Sequence, residues 1–195
     1  MKKVILHAKQ RVFDGFFKID EAEISYERFD GQMSGRLRRL CFERGDSVAA
    51  IIYNRDSRKA LFVNQFKYPT YEKGPGWIME TVAGILEAGE TPESALRREV
   101  LEETGYSAET IEAIATFYVS PGGSSERIML YYVEVSGAGK IARGGGVQSE
   151  GEDIETVELS LEDLDRLVMT RSVQDAKTIV GIQWLLKRQQ DGMRR

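Results

Sequence analysis

Short, nearly continuous apolar runs bounded by turn residues recur along the chain and predict buried β-strands. They lie at residues 47–53, 60–66, 77–83, 111–120, 128–135 and 154–159. Turn-like residues separate the runs at residues 47–53 and 60–66, and also those at residues 111–120 and 128–135. Each of these two pairs is therefore predicted to form neighbouring strands. Prolines and glycines at residues 69–76 predict a loop before the third run.

Three other segments have the apolar spacing of an α-helix and carry capping residues. Residues 92–104 are bracketed by Thr91, a good N-cap, and by Gly105, which suits the position after a helix end. A second helix is predicted to start at Ser160, and a third to span residues 173–190, with residues 191–195 frayed. Strands and helices in this order predict an α/β fold with the helices packed on the sheet.

The first 45 residues have a different pattern, in which apolar residues alternate loosely with charged ones. The turn dipeptide Asp30-Gly31 precedes an apolar segment at residues 37–42, so we expect an N-terminal β-hairpin arm, residues 1–45, followed by a main domain, residues 46–195. Residues 139–151 are polar and contain three consecutive glycines, which predicts a mobile loop able to close over a substrate.

Composition excludes several classes of function. The net charge of −4 argues against a general nucleic-acid or anionic-membrane surface, and no apolar stretch approaches the length of a membrane span. We therefore expect a soluble, unprocessed cytoplasmic protein with a small free ligand. The single cysteine, Cys41, is expected to be a buried thiol, and the single histidine, His7, makes histidine-based catalysis or a zinc site improbable.

Three carboxylates form the strongest chemical signal in the chain. Glu99, Glu102 and Glu103 stand at i, i+3 and i+4 of the predicted helix at residues 92–104, so they share one surface. Such a group is usually a solvated helix face, but it also suits a hard divalent cation such as Mg²⁺, with Arg98 and Glu90 placed to orient the ligands.

The spacing around this helix resembles the Nudix box of the nucleoside-diphosphate-X hydrolases. The matching positions are Gly84, Glu90, Arg98, Glu99, Val100, Glu102, Glu103, Gly105 and Tyr106. Resemblance to the ADP-ribose and sugar-nucleotide pyrophosphatase branch extends over nearly the whole chain. It is carried by residues 15–17, 29–34 with 38–39 and 42–45, 120–127, 150–154, and 175–185.

The resemblance implies an α/β/α sandwich around a mixed sheet, in a homodimer formed by exchange of the N-terminal arm. It also implies that Mg²⁺, for which Mn²⁺ can substitute, is bound by the Ala83 carbonyl, Glu99, Glu103 and Glu152. Glu150 is then the best candidate for the general base, with Glu152 and nearby acids as alternatives. Glu102 and Arg98 complete the implied catalytic set.

The resemblance also implies a substrate site. Phe16 of the partner subunit and Arg39 would sandwich the nucleobase, and Glu126 would lie near the ribose or the pyrophosphate. One departure is Lys67, which stands where the ADP-ribose enzymes commonly have an arginine. Because lysine is a point charge and cannot contact phosphate in a bidentate way, the affinity or the choice of substrate is expected to differ.

The implied reaction is Mg²⁺-dependent hydrolysis of ADP-ribose to AMP and ribose 5-phosphate. GDP-mannose or another nucleoside diphosphate sugar is the alternative substrate, since residues 144–147 also look like the GDP-mannose pyrophosphatase branch. A non-catalytic nucleotide-sugar sensor is a further alternative. The sequence leaves open the preferred base and sugar, the number of metal ions and the phosphorus that is attacked.

Overall fold

The computed structural model describes residues 1–193 of the 195-residue chain and divides it into two compact units. The first unit comprises Met1–Asp46 together with Tyr118–Arg127. The second comprises Ser47–Phe117 and the described residues from Ile128 onward. Within residues 1–193, no helix is long and apolar enough to cross a bilayer.

The first unit contains a three-stranded antiparallel sheet rather than the simple hairpin that the sequence predicts. Its strands, in the order β1-β2-β3, are β1 (Val4–Asp14), β2 (Lys18–Tyr26) and β3 (Leu37–Glu43). The chain turns at residues 15–17, between β1 and β2, as well as at the predicted Asp30-Gly31 turn before β3. Cys41 lies half-buried in β3, because the face of this thin sheet is not fully covered; the prediction of a buried thiol is therefore wrong.

The second unit is built on a mixed sheet. Its strands are β4 (Ser47–Asn54), β5 (Lys59–Phe66), β6 (Trp77–Glu80), β7 (Val82–Ile85), β8 (Thr110–Tyr118), β9 (Arg127–Val135) and β10 (Glu155–Leu159). The main order is β10-β5-β4-β9-β8, with β6 paired to β5 and β7 paired to β4. The β4 and β9 strands run parallel, whereas β5 is antiparallel to both β4 and β10.

The helices confirm the predicted pattern with small differences. They are α1 (Tyr68–Tyr71), α2 (Pro92–Thr104), α3 (Leu161–Met169) and α4 (Ala176–Met193). The first is a single turn inside the predicted loop at residues 69–76, where Pro69 suits the start of a helix. The last helix continues through Met193, so the prediction of fraying fails for residues 191–193 and otherwise falls on residues outside the described part of the chain.

Alternation along β4 directs neighbouring side chains to two separate helical layers. Ile52 packs in a core cluster with Leu96 and Val100 of α2, whereas Ile51 packs with Ile182 and Leu185 of α4. All of these side chains are fully buried. The sheet is therefore covered by α2 on one face and by α3 and α4 on the other, which is the α/β/α arrangement that the sequence predicts.

The predicted strand at residues 77–83 is divided at Thr81. The Thr81 N–H donates to Thr178 Oγ1 at 2.8 Å instead of to a neighbouring strand, so the chain leaves β5 and pairs with β4. This change of partner directs Ala83 and Gly84 toward α2.

Candidate functional site

The α2 helix is fixed at its start by reciprocal capping. The Thr91 side chain accepts from the Ser94 N–H at 3.2 Å, and Ser94 Oγ accepts from the Thr91 N–H at 3.0 Å. The predicted cap and the predicted helix are confirmed. Because Ala95, Leu96 and Val100 are buried against the sheet, the orientation of the adjacent glutamates is set by core packing.

Glu103 is the most unusual side chain of the helix. It is only 2% exposed, and its Oε2 atom has no hydrogen-bond partner among the described residues. Burial, together with the negative charges of Glu99 and Glu80, raises its pKa well above the ordinary value. An unpartnered buried carboxylate costs free energy unless a cation or a proton neutralises it.

Glu99 lies against the backbone of β7. A Cβ atom built on Gly84 would stand 1.7 Å from Glu99 Oε1, so only glycine leaves room for this carboxylate. Burial raises the pKa of Glu99, and a hydrogen bond from Arg98 at 2.7 Å partly opposes that shift. Ala83 shares a peptide bond with Gly84, so its carbonyl belongs to the same stretch of backbone.

Arg98 ties the acidic side chains together. Its Nε and Nη2 atoms donate to the two carboxylate oxygens of Glu90 at 2.9 and 3.0 Å, and Nη1 donates to Glu99 at 2.7 Å and Glu102 at 3.2 Å. The hydrogen bond from Arg98 lowers the pKa of Glu90. Arg98 thus links Glu90, Glu99 and Glu102 by hydrogen bonds, and its role in orienting metal ligands stays a prediction.

The second acidic segment contributes Glu152 but leaves Glu150 apart. Glu152 is half-buried, and its Oε2 accepts from the Val147 N–H at 2.8 Å. Burial is the main cause of the raised pKa values of Glu99 and Glu103, and the negative charge of Glu152 is a smaller one. Glu150 is exposed at the end of the 3-10 helix Gln148–Glu150, and within residues 1–193 its side chain makes no hydrogen bond or ion pair.

The prediction of a mobile loop at residues 139–151 is wrong for Gly145 and Gly146. The N–H groups of Gly145 and Gly146 donate to the carbonyls of Glu103 and Glu102 at 2.9 and 3.0 Å. The last carbonyls of a helix have no hydrogen-bond donor within the helix, and this segment supplies a donor to each of these two carbonyls. The sequence pattern missed these contacts because a glycine-rich segment has the same composition whether it is loose or tightly packed.

Lys67 belongs to a charge network that the sequence analysis missed. Its Nζ atom is 3.3 Å from Glu80 Oε1, and the other oxygen of the buried Glu80 forms an ion pair with the partly buried Lys177. Lys177 also lies 3.0 Å from Asp175. The sequence does contain a signal for this network, because Glu80 lies within a predicted apolar strand and Lys177 within a predicted helix. Charged residues in such positions are buried only when they are paired.

The remaining predicted substrate residues lie in the first unit. Phe16 is 90% exposed and makes an edge contact with Phe17, and Arg39 is exposed. Glu126 is partly buried, and its carboxylate lies 3.7 Å from Arg44.

The donors of the second unit fit a hard divalent cation. Carboxylate oxygens are what such ions prefer, and the buried oxygen of Glu103 that has no partner among the described residues is available to one. Within residues 1–193, the side chains as they stand do not bring three acidic, histidine or cysteine groups close enough to enclose an ion.

Comparisons with known proteins give a consistent assignment. Residues 43–180 match the NUDIX domain family. The chain is 32% identical to a GDP-mannose pyrophosphatase of Citrobacter koseri over 94% of its length and 95% of that protein. It is also 32% identical to an ADP-ribose pyrophosphatase of Escherichia coli K12 over 91% of its length and 85% of that protein. The crystal structure of an ADP compounds hydrolase has the same fold, with a TM-score of 0.72 at 15% identity over 98% of this chain and 96% of that one.

Proposed function

This chain belongs to the NUDIX domain family and is a pyrophosphate-cleaving hydrolase, and from that premise we propose that it is a Mg²⁺-dependent hydrolase of nucleoside diphosphate sugars. The proposed reaction cleaves ADP-ribose to AMP and ribose 5-phosphate. GDP-mannose is the second candidate substrate, because relatives of both names match the chain at 32% identity. The similarity to these relatives favours neither substrate over the other.

The observation that carries the proposal is the buried, unpartnered carboxylate of Glu103 beside Glu99. The groups proposed to hold the cation are the Ala83 carbonyl, Glu99, Glu103 and Glu152. When bound, Mg²⁺ would neutralise pyrophosphate oxygens and lower the pKa of the attacking water. Mn²⁺ has similar ligand preferences and is expected to substitute.

The proposed roles of the other residues follow from their positions. Glu150 is exposed and unpaired in the described chain, so it is free to accept a proton from water. Glu152, whose charge acts on Glu99 and Glu103, is the alternative base. Arg98 and Glu102 hold the carboxylate cluster in place, and Lys67 offers a positive charge to a phosphate.

We assign nucleobase recognition to the N-terminal arm, residues 1–45, which precedes the hydrolase domain proposed at residues 46–195. Phe16 of the partner subunit and Arg39 would sandwich the base, and Glu126 would contact the ribose or the pyrophosphate. Support comes from the 90% exposure of the Phe16 side chain, which leaves an aromatic ring available for stacking on a base. The enzyme would act as a homodimer in the cytoplasm.

The direct test is Glu103→Gln. We expect kcat to fall by at least about 100-fold, because a metal ion supplies several kcal/mol of stabilisation and each 1.4 kcal/mol is a factor of ten. Glutamine is nearly isosteric, so the circular dichroism spectrum should be unchanged. Glu93→Gln, on the exposed start of the same helix, is the control and should retain full activity. Near-normal turnover in Glu103→Gln would refute the mechanism.

Substrate choice is tested by measuring kcat/KM for ADP-ribose, GDP-mannose and UDP-glucose with Mg²⁺. Hydrolysis in ¹⁸O-labelled water then identifies the phosphorus that is attacked. Tight binding of a nucleotide sugar without turnover of any would instead support a sensor.

A further inference from the structure

Three consecutive glycines, Gly144, Gly145 and Gly146, form a segment that we name the glycine strap. Their φ angles are +72°, +102° and +82°, all in the region that side chains rarely adopt. Holding three consecutive glycines in this conformation costs conformational entropy. The contacts that the strap makes on its two sides therefore have to compensate for that cost.

On one side, the strap packs against the backbone at the C-terminal end of α2. A Cβ atom on Gly144 would lie 2.5 Å from the Thr104 carbonyl carbon and 2.7 Å from the Gly105 nitrogen. The next two N–H groups donate to the carbonyls of Glu103 and Glu102. The strap is therefore bonded to the two helix residues whose side chains belong to the carboxylate cluster.

On the other side, the strap meets Glu152. A Cβ atom on Gly146 would lie 2.7 Å from both Glu152 Cβ and Glu152 Oε2. The same Oε2 atom accepts from the N–H of Val147, the residue that follows the strap. The Gly145 carbonyl accepts from the N–H of the buried Ile154 at 3.2 Å, which closes the segment around Glu152.

We propose that the glycine strap is a positioning element for the cation site, and that Gly146 is the residue that sets the place of the Glu152 carboxylate relative to Glu99 and Glu103. This inference rests on the proposed function and extends it. The strap is hydrogen-bonded to the α2 backbone on one side and packs closely on Glu152 on the other. These contacts determine the distance between Glu152 and the α2 carboxylates, which are about 50 residues away in sequence.

The experiment compares Gly146→Ala with Gly151→Ala in the full-length protein. Both glycines have similar φ angles, +82° and +74°, so alanine introduces similar backbone strain at each. Among the described residues nothing lies within 4 Å of a Cβ on Gly151, whereas a Cβ on Gly146 meets Glu152. A Cβ on Gly146 would also lie 2.9 Å from Ile154 Cδ1, so the difference between the variants reports the packing of the strap on Glu152 and Ile154 rather than backbone strain.

Mn²⁺ affinity without substrate is the main measurement, made by electron paramagnetic resonance of the free ion. We expect Gly146→Ala to weaken binding by about tenfold or more, the usual effect of disturbing a group that orients a metal ligand. The Mn²⁺ affinity of Gly151→Ala should stay within about twofold of the wild-type affinity. The change in Tm should be similar for the two variants. In turnover assays, Gly146→Ala should lower kcat while KM for the nucleotide is little changed.

Equal Mn²⁺ affinity in Gly146→Ala and the wild type would overturn the positioning role and leave the proposed function intact. An equal loss in both variants would also overturn it, because general strain would then explain the effect. If the wild type binds Mn²⁺ and the variants differ as expected, yet no nucleotide sugar is cleaved, the proposed substrate class fails and the strap stands. A wild type that binds no Mn²⁺ overturns both.

If Gly146→Ala does not fold, hydrogen exchange on the wild type decides. The amides of Gly145 and Gly146 should then be protected as strongly as the amides inside α2, since they are bonded to that helix. Exchange at the rate of an open loop would overturn the proposal.

Discussion

Gly84 illustrates how a single residue without a side chain can be essential to a charged site. Alanine here would place a methyl group 1.7 Å from Glu99 Oε1, and the carboxylate would have to move away. We expect Gly84→Ala to lower kcat by about 100-fold, because a displacement of about 1 Å in a catalytic site can have that effect. Gly35→Ala, whose added methyl would meet no described atom within 4 Å, is the control. Wild-type turnover in Gly84→Ala would contradict the placement of Glu99.

Asp20 provides a prediction about pH. Hydrogen bonds from Arg11, at 2.8 Å, and from Lys9 lower the pKa of its carboxyl group from 3.8 to about 2. Since the folded pKa is lower than the unfolded value, the contribution to stability is complete above pH 3.8 and is lost as the pH falls through about 2. Carboxyl ¹³C NMR should show Asp20 titrating near pH 2. In Arg11→Gln the pKa should rise toward 3.8, and an unchanged value would show that Arg11 is not the cause.

At the scale of elements, the sequence predicted what depends on neighbours along the chain. The caps of α2 and the spacing of Glu99, Glu102 and Glu103 are local, so both the helix and its acidic surface could be predicted. The glycine strap depends on hydrogen bonds across more than 40 residues, and local composition cannot reveal them. For the same reason the sequence did not reveal the pair of Glu80 and Lys177, which are 97 residues apart.

That pair connects α4 to the sheet and leads to a prediction about stability. Burial alone would lower the pKa of Lys177, but the carboxylates of Glu80 and Asp175 raise it above the ordinary value, so the amine stays charged. Lys177→Met would leave Glu80, 6% exposed, without its closest cation. We expect a loss of about 3–5 kcal/mol in the free energy of unfolding, measured by urea denaturation.

Lys187→Met, an exposed position on the same helix, is the control and should change stability by less than about 0.5 kcal/mol. If the two variants were equally stable, Glu80 would have sufficient compensation from Lys67 and Gln65 alone.

At the scale of the whole molecule, the linear sequence suggested a boundary near residue 45, and the folded chain has a more complex division. Residues 118–127 belong to the first unit because the Phe42 N–H donates to the Gly123 carbonyl and the Ser125 N–H donates to the Phe42 carbonyl, at 2.8 and 3.2 Å. A segment predicted to end one strand and to connect it to the next thus also supports the arm. Pairing between distant segments is decided by the folded geometry, which a pattern along the chain does not contain.

The exposed apolar surface of the arm is the basis for predicting the oligomeric state of the protein. The large apolar side chains that remain exposed there include Val4, Leu6, Val12, Phe13, Phe16, Phe29 and Leu40. Monomers seldom expose so many in one small unit, and a second arm could cover them. We therefore expect the wild type to be a dimer by size-exclusion chromatography with light scattering.

Leu6→Glu tests whether the arm forms that dimer. Leu6 is 58% exposed, so a charge there is solvated in a monomer, but in a dimer it would be buried without a partner, and dissociation should follow. Met169→Glu, at a position 76% exposed on α3, makes the same chemical change away from the arm and should leave the dimer intact. Deletion of residues 1–45 should abolish both dimerisation and nucleotide specificity, and a monomer with unchanged kinetics would show that the arm contributes nothing to the substrate site.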